Sequence, residues 1–224
     1  MQVVGWGADE ESWVIDYRII FGDPSGPRVW SDLDAVLQAT YKHPVAVALP
    51  IRAAAIDTGG HHTKAAYEFC RTRLARRIWA IKGRGGPGIP VWPKRIKPVP
   101  GRVPLAIVGV DATKDALFAR LRITEPGPGF IHFSRARDAE YFRQLTSERV
   151  VTTYVKGRPV RSWQARPGAR NESLDTFVYA MAALHGLIAA GLRLNDERPQ
   201  PPARPKVPQT IRSNWIGSTG DNWI

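Results

Sequence analysis

The sequence predicts an α/β fold in which strands alternate with helices. A short apolar run at 51–56 precedes a stretch with helical periodicity at 63–74, and a second such pair lies at 105–110 and 114–122. This alternation is typical of parallel strands connected by helices. We therefore expect a sheet with parallel pairs, in a chain of 224 residues that is long enough to bury a real core.

The chain opens with a predicted β-hairpin. Residues 2–7 and 12–20 are rich in Val, Ile, Trp and Tyr, and a short polar link separates them. After a break at 23–27, a short helix is predicted from Ser31, as its N-cap, to about Tyr41.

The later elements follow the same reasoning. Residues 77–81 are a predicted strand, and the Gly-, Pro- and Lys/Arg-rich stretch 83–104 is a predicted surface excursion without a core of its own. The remaining predictions are a second hairpin from 122–124 and 130–133, a helix at 139–145, a strand pair at 150–155 and 160–164, and a closing helix at 170–184. The Pro-rich composition after that predicts a domain over 1–194 and a flexible tail over 195–224.

Charge is the strongest compositional signal. The chain has 32 Lys and Arg against 20 Asp and Glu, a formal net charge of +12, which favours a polyanionic partner. We expect nucleic acid ahead of an anionic membrane surface, with a solvated basic surface as the alternative. No apolar run approaches membrane-spanning length, and the single cysteine excludes an internal disulfide framework and a Cys-based zinc site. The candidate DNA-binding residues are Lys82, Arg84, Lys94, Arg95, Lys156 and Arg158.

Three carboxylates occupy positions at which α/β folds commonly bind ligands. Asp57 follows an apolar strand and precedes two glycines, Asp111 follows the strand LAIVGV, and Asp175 lies beside the apolar stripe of the closing helix. Acids from separate elements could converge on a hard cation such as Mg²⁺ or Mn²⁺. In a basic protein, a two-metal site of this kind suggests phosphodiester hydrolysis.

Each of these residues also has an ordinary structural interpretation. Asp57 could begin a turn, Asp111 could cap the following helix, and Asp175 could offset the helix dipole or pair with Arg170. His61 could be an ordinary residue at a helix start. Spacing and periodicity alone therefore indicate a basic α/β domain with a possible metal site.

Six stretches carry a family resemblance that covers most of residues 1–190 in order. They are VVGWGADEESWVIDYRIIFGDP (3–24), AIDTGGHHT (55–63), IWAIKGRGGPG (78–88), VGVDATKDALFARLRITEPGPGFIHF (108–133), EYFRQLTSE (140–148) and RNESLDTFVYAMAAL (170–184). Through them the chain resembles the nuclease domain of the large terminase subunit of tailed phages, in its lambda-like branch.

The resemblance implies a ribonuclease-H-like mixed sheet flanked by helices, with a divalent-metal site that cuts concatemeric viral DNA during packaging. It implies that Asp57 and Asp175 are catalytic metal ligands. Asp111 is a third candidate ligand, and His61 could touch the scissile phosphate. The implied partners are double-stranded DNA, the terminase small subunit and the portal or procapsid, in the host cytoplasm and without a membrane.

Two departures from the family pattern bear on activity. The fold's first strand, with a further metal-binding aspartate, is expected before the opening hairpin and does not occur here, and neither does a GxxxxGK[ST] loop. The expectation is an N-terminally truncated nuclease domain. The alternative is a non-catalytic DNA-binding and portal-docking remnant with an incomplete metal site. A resolvase or integrase of similar fold fits the lambda-like stretches less well.

Overall fold

The computed structural model describes residues 1–44 and 46–196 and has a mixed α/β fold. The strands are β1 (Gln2–Trp6), β2 (Ser12–Tyr17), β3 (Thr40–His43), β4 (Ala46–Pro50), β5 (Ala54–Asp57), β6 (Ile78–Arg84), β7 (Lys97–Val99), β8 (Val103–Gly109), β9 (Ile131–Phe133), β10 (Glu148–Val155) and β11 (Arg158–Ala165). The α-helices are α1 (Pro27–Leu37), α2 (Thr63–Arg71), α3 (Val110–Arg120), α4 (Ala139–Leu145) and α5 (Glu172–Ala189). The predicted α/β class is confirmed.

The sheet that positions the candidate site has the strand order β5-β6-β8-β7. Strands β5, β6 and β8 run parallel, and β7 pairs antiparallel with β8 at the edge. The predicted parallel pairs are therefore confirmed. Because parallel strands end at the same edge, the carboxyl ends of β5, β6 and β8 bring the residues around Asp57, Arg84 and Asp111 to one side.

A second sheet has the order β1-β2-β9. The opening hairpin is confirmed, since β1 and β2 pair antiparallel. The second predicted hairpin is wrong, because residues 122–124 form no strand and β9 pairs parallel with β2. The intervening residues instead make a loop with Gly127 and Gly129 at positive φ, and Phe130 O accepts a hydrogen bond from Ser12 N at 2.9 Å.

The first helix is displaced from its prediction. Helix α1 begins at Pro27 rather than Ser31, because proline is favoured in the first turn, where its missing N–H costs nothing. It ends at Leu37, and the residues that follow form the unpredicted antiparallel hairpin of β3 and β4.

The stretch 83–104 is more than the predicted surface excursion. Val91 and Trp92 pack against the core beside Ile81 and Val108, and the rings of Trp79 and Trp92 lie 4.9 Å apart. Its residues 97–99 are strand β7. The prediction failed because a high Gly and Pro content masks the few apolar side chains that dock this segment on the sheet.

The predicted closing helix is confirmed and extends to Ala189 as α5. Four of its side chains are essentially inaccessible to solvent and form the centre of the largest core cluster: Leu174, Phe177, Val178 and Met181. The helix packs against both β1 and β5, so it bridges the two main sheets. Within the described residues no helix is long and apolar enough to cross a membrane.

The predicted helix at 139–145 and the strand pair after it are also confirmed, as α4 and the β10–β11 hairpin. Asn195, which begins the predicted tail, exchanges two hydrogen bonds with Asp9 at 2.7 and 2.8 Å. Residues 197–224 lie outside the described residues, so the tail stays a prediction. The ribonuclease-H-like assignment and the absent first strand also stay predictions.

Candidate active site

Asp57 is the last residue of β5 and its side chain is exposed at the carboxyl edge of the parallel sheet. Its Oδ1 accepts a hydrogen bond from Gly59 N at 3.0 Å. A Cβ at Gly59 would lie 3.3 Å from that oxygen, so glycine there allows the backbone to approach the carboxylate. Oδ1 of Asp57 therefore stabilises the turn after β5, as the interpretation of Asp57 as a turn residue expects. The other oxygen, Oδ2, faces helix α5.

Asp175 lies in the first turn of α5 and is half-buried. Burial raises the pKa of this carboxyl, the charge of Lys114 lowers it, and the charges of Glu148, Asp57 and Glu172 raise it. The alternative pairing with Arg170 is not formed, since Arg170 instead pairs with Glu172 at 3.1 Å. Among the described residues no cation pairs directly with Asp175, and a half-buried carboxylate without such a partner is costly, which is typical of functional positions.

Tyr179 connects the two predicted ligands. It lies one turn after Asp175 on α5, and its hydroxyl donates to Asp57 Oδ2 at 3.4 Å. Burial and the charges of Asp57 and Asp175 together raise the pKa of Tyr179, so its hydroxyl stays protonated and available as a donor. The charge of Asp57 also raises the pKa of Asp175, so the two carboxyls lie in one region at this edge of the sheet.

A buried ion pair beside Asp175 was missed by the sequence reasoning. Lys114 Nζ on α3 lies 2.7 Å from Glu148 Oε2 at the start of β10, and both side chains are less than a tenth exposed. The other oxygen of Glu148 accepts from Asn171 Nδ2 at 3.0 Å, just before α5. The helical spacing could have predicted that Lys114 is buried, because it lies three residues before the fully buried Leu117 and therefore on the same helix face.

Asp111 lies in the first turn of α3 and does not cap that helix, whose N-cap is Gly109. The capping interpretation is therefore wrong. Asp111 Oδ2 instead accepts from Gly86 N at 2.9 Å, and a Cβ at Gly85 would meet its Oδ1 at 3.1 Å. Asp111 thus holds the turn that follows β6, and its role as a metal ligand stays a prediction.

The remaining predicted site residues are exposed. His61 lies in the turn before α2, close in sequence to Asp57, while the neighbouring His62 Nδ1 lies 3.4 Å from Ser25 Oγ. Among the described residues, no ion pair engages any of the six candidate DNA-binding cations, which leaves them available to an anion. These are Lys82 and Arg84 on β6, Lys94 and Arg95 before β7, and Lys156 and Arg158 at the β10–β11 turn.

The carboxylate pair has the chemistry of a Mg²⁺ or Mn²⁺ site. Hard divalent ions take oxygen ligands, and Mg²⁺ is commonly held by one or two carboxylates together with waters and substrate phosphate. Asp57 and Asp175 fit that description. Within residues 1–44 and 46–196, no group of three or more His, Cys, Asp or Glu side chains is placed to hold an ion.

Comparison with known proteins identifies the family. A family model described as the endonuclease domain of the terminase large subunit gpA matches residues 1–197. The chain belongs to this family. It is 35% identical over 191 residues to the terminase large subunit of Escherichia phage lambda, and 31% identical over 193 residues to that of Enterobacteria phage P21.

Each of these alignments covers 82% of the chain and 30% of the relative, so the chain spans about 30% of the length of the terminase subunits that it matches. No solved structure matches the chain at a significant level. The resemblance to the lambda-like terminases is therefore confirmed over the family's endonuclease domain.

Proposed function

We propose that this chain is a divalent-metal-dependent endonuclease domain that hydrolyses phosphodiester bonds of double-stranded DNA during viral DNA packaging. One observation supports the proposal: the charge of Asp57, at the end of β5, acts on the Asp175 carboxyl of α5, and Tyr179, one turn after Asp175, donates to Asp57. The family supports the same reaction, because its model is that of a terminase endonuclease domain.

Each side chain of the proposed site has a role that follows from its position. Asp57 and Asp175 would hold Mg²⁺ or Mn²⁺, which when bound supplies charge stabilisation at phosphate and an activated water. Tyr179 and Gly59 N orient Asp57 through their hydrogen bonds. The Lys114–Glu148 pair sets the charge beside Asp175, and exposed His61, four residues after Asp57, would contact the scissile phosphate.

A two-ion mechanism is the finer form of this proposal. It needs more ligands than one carboxylate pair, and DNA phosphate and water are the oxygen ligands that complete such sites. Asp111 is the further protein ligand proposed for it, provided that the bond to Gly86 opens when the ion binds.

The proposed partners follow from the relatives. Terminase large subunits are the matched proteins, so we propose DNA, a terminase small subunit and the portal or procapsid as partners, acting in the cytoplasm of the infected host. The net charge of +12 supports the DNA part of this assignment.

A non-catalytic DNA-binding remnant is the competing function. It is favoured by the finding that, among the described residues, no third His, Cys, Asp or Glu joins the carboxylate pair. Isothermal titration with Mn²⁺ separates the two functions. The nuclease predicts saturable binding that Asp57→Asn and Asp175→Asn each weaken at least tenfold, and the remnant predicts no saturable binding.

Cleavage gives the direct test. Supercoiled plasmid is incubated with Mn²⁺ and the conversion to nicked and linear forms is followed. Asp175→Asn should abolish cutting while leaving the circular dichroism spectrum unchanged. The matched control is Glu172→Gln, which neutralises an exposed acid in the same helical turn. Unchanged cutting by Asp175→Asn would remove this residue from the mechanism.

A further inference from the structure

The β10–β11 hairpin is a two-stranded ribbon that, among the described residues, pairs with no other strand. All eight residue pairs from Glu148–Ala165 to Val155–Arg158 are in register. The turn at its end is Lys156-Gly157, with φ of 49° and 74°, as a two-residue type I′ connection requires. From Thr152 to Pro159 every side chain is exposed.

Only the base of the ribbon is anchored. Trp163 packs on Phe118 of α3 with ring centroids 4.5 Å apart, and its Nε1 donates to Asp115 Oδ1 at 2.9 Å. Asp115 also binds Arg161 through two contacts of 2.7 Å. Among the described residues, none outside the hairpin is hydrogen-bonded or ion-paired to residues 152–160, the outer half of the ribbon. The outer half of the ribbon is therefore available to contact a partner.

The free end combines cations with exposed apolar side chains. Lys156 and Arg158 carry unpaired charges, while Tyr154 is 75% exposed and Val155 53% exposed. Tyrosine is enriched at interfaces because its ring packs on apolar groups while its hydroxyl stays polar, and here it stands beside the exposed Val155. The charge selects a polyanion, and the aromatic residue needs a surface with an apolar component.

Strand β10 connects the free end to the buried ion pair beside Asp175. Residues two apart in a strand share a face, so Tyr154 lies on the same face as Glu148, the partner of Lys114 beside Asp175. Six residues of strand at about 3.3 Å each separate Glu148 from Tyr154 by roughly 20 Å.

From these observations we propose that the β10–β11 ribbon is a DNA-gripping arm whose tip enters the major groove of the duplex that is bound at Asp57 and Asp175. The proposal rests on double-stranded DNA being the substrate. The major groove admits a two-stranded ribbon, whereas the minor groove is only about half as wide. Lys156 and Arg158 then contact the flanking phosphates, and Tyr154 lies against the base edges.

The test measures metal-free binding, so that it is independent of cleavage. Fluorescence anisotropy with a 30-base-pair duplex in EDTA is recorded across a salt series. The arm variant is Lys156→Asn/Arg158→Gln, in which Asn-Gly preserves the type I′ turn. The matched control is Arg71→Gln/Arg143→Gln, which removes two exposed cations that pair with acids on α2 and α4. A third variant, Tyr154→Ala, removes the aromatic ring alone.

The arm variant should reduce the slope of log K against log salt by about 1.8, since each lost phosphate contact contributes about 0.9, and the control should leave it unchanged. Tyr154→Ala should weaken binding by roughly five- to tenfold at an unchanged slope, because it removes no charge. The wild-type chain at saturation should protect guanine N7, which lies in the major groove, from dimethyl sulfate, and Tyr154→Ala should lose that protection.

An arm variant that matches the control in slope and affinity would overturn the proposal, and so would protection of adenine N3 in place of guanine N7. These outcomes are separable from failure of the proposed nuclease. Arm-dependent binding without any cleavage leaves the arm intact and rejects the nuclease. Cleavage and binding that are both unaffected by the arm variants reject the arm alone.

Discussion

Asp175 shows at the scale of one residue how a candidate site is built at the expense of stability. Its carboxyl is half-buried, and Lys114, the cation whose charge acts on it, is already bonded to Glu148. Burial therefore raises the pKa of Asp175 more than Lys114 lowers it. Sites that bind charged ligands commonly retain such destabilising groups.

Replacing Asp175 by Asn should stabilise the fold at neutral pH. Since the pKa of Asp175 is raised in the folded state, its favourable contribution is present below the unfolded pKa and is lost as the pH rises through the folded pKa. The ionised form at pH 7 is therefore unfavourable. We expect Asp175→Asn to raise the free energy of unfolding by about 0.5–2 kcal/mol, the usual range for single stabilising changes.

Urea unfolding at pH 7 and pH 3 checks this prediction. The gain should vanish at pH 3, where the carboxyl is protonated in both states. The exposed Glu172→Gln substitution is the control and should change little at either pH. Destabilisation by Asp175→Asn at pH 7 would show that the carboxylate makes a net favourable contact.

Breaking the buried Lys114–Glu148 pair should be strongly destabilising. Lys114→Met leaves the Glu148 carboxylate buried without its cation, a situation that costs about 3–5 kcal/mol. The double variant Lys114→Met/Glu148→Met should recover most of this loss, because no buried charge remains. Chemical denaturation of the two single variants and the double variant gives the coupling free energy. Equal losses for the single and double variants would contradict the ion-pair account.

At the scale of elements, the segment 83–104 is held to the sheet by a close backbone contact. Gly109 N at the end of β8 donates to Pro90 O at 2.9 Å, and a Cβ at Gly109 would lie 2.2 Å from Ile89 O. The glycine is therefore required by the approach of another backbone, and its own φ of −79° suits any residue.

Gly109→Ala should therefore destabilise the protein by about 1–3 kcal/mol, the usual cost of overpacking. The control is Gly60→Ala, where an added Cβ meets nothing within 4 Å. Thermal unfolding followed by near-ultraviolet circular dichroism also reports Trp92, whose environment should change in Gly109→Ala only. A neutral Gly109→Ala would mean that the segment is not docked on β8.

At the scale of the whole molecule, the distribution of charge determines how the chain meets DNA. The candidate DNA-binding cations lie at the carboxyl edge of the parallel sheet, on the segment before β7 and on the arm, and none is ion-paired among the described residues. Binding through such phosphate contacts is insensitive to sequence and sensitive to salt.

DNA affinity should therefore fall about 10³-fold between 50 and 200 mM salt if about six phosphates are contacted. Anisotropy with two duplexes of unrelated sequence checks both properties, and the two duplexes should bind alike. Affinity that does not change with salt would assign the net charge of +12 to another role.

The chain after residue 196 provides a further prediction at this scale. It contains several prolines and has large apolar residues near its end, of a type common at interfaces: Trp215, Ile216, Trp223 and Ile224. Deletion of 210–224 should leave the unfolding midpoint and any DNA cutting unchanged while weakening procapsid association. Co-sedimentation with procapsids measures the latter, and unfolding of the shortened chain would show that these residues belong to the core.

The sequence by itself determined the elements whose signals are local. Alternation of apolar runs with helical periodicity was sufficient for the parallel strands β5, β6 and β8 and for α5, because these patterns directly reflect which faces are buried. The strand-end position of Asp57 and the helical phase of Asp175 were readable for the same reason, and the family match came from contiguous stretches.

Only the tertiary structure decided the features that depend on partners distant in sequence. The addition of β9 to β2, the docking of 83–104, the bond from Asp111 to Gly86 and the Lys114–Glu148 pair each join segments that no local pattern relates. Propensity and periodicity report on the burial of one segment at a time. The choice of partner depends on packing and charge neutralisation across the fold, which exist only when the chain has closed on itself.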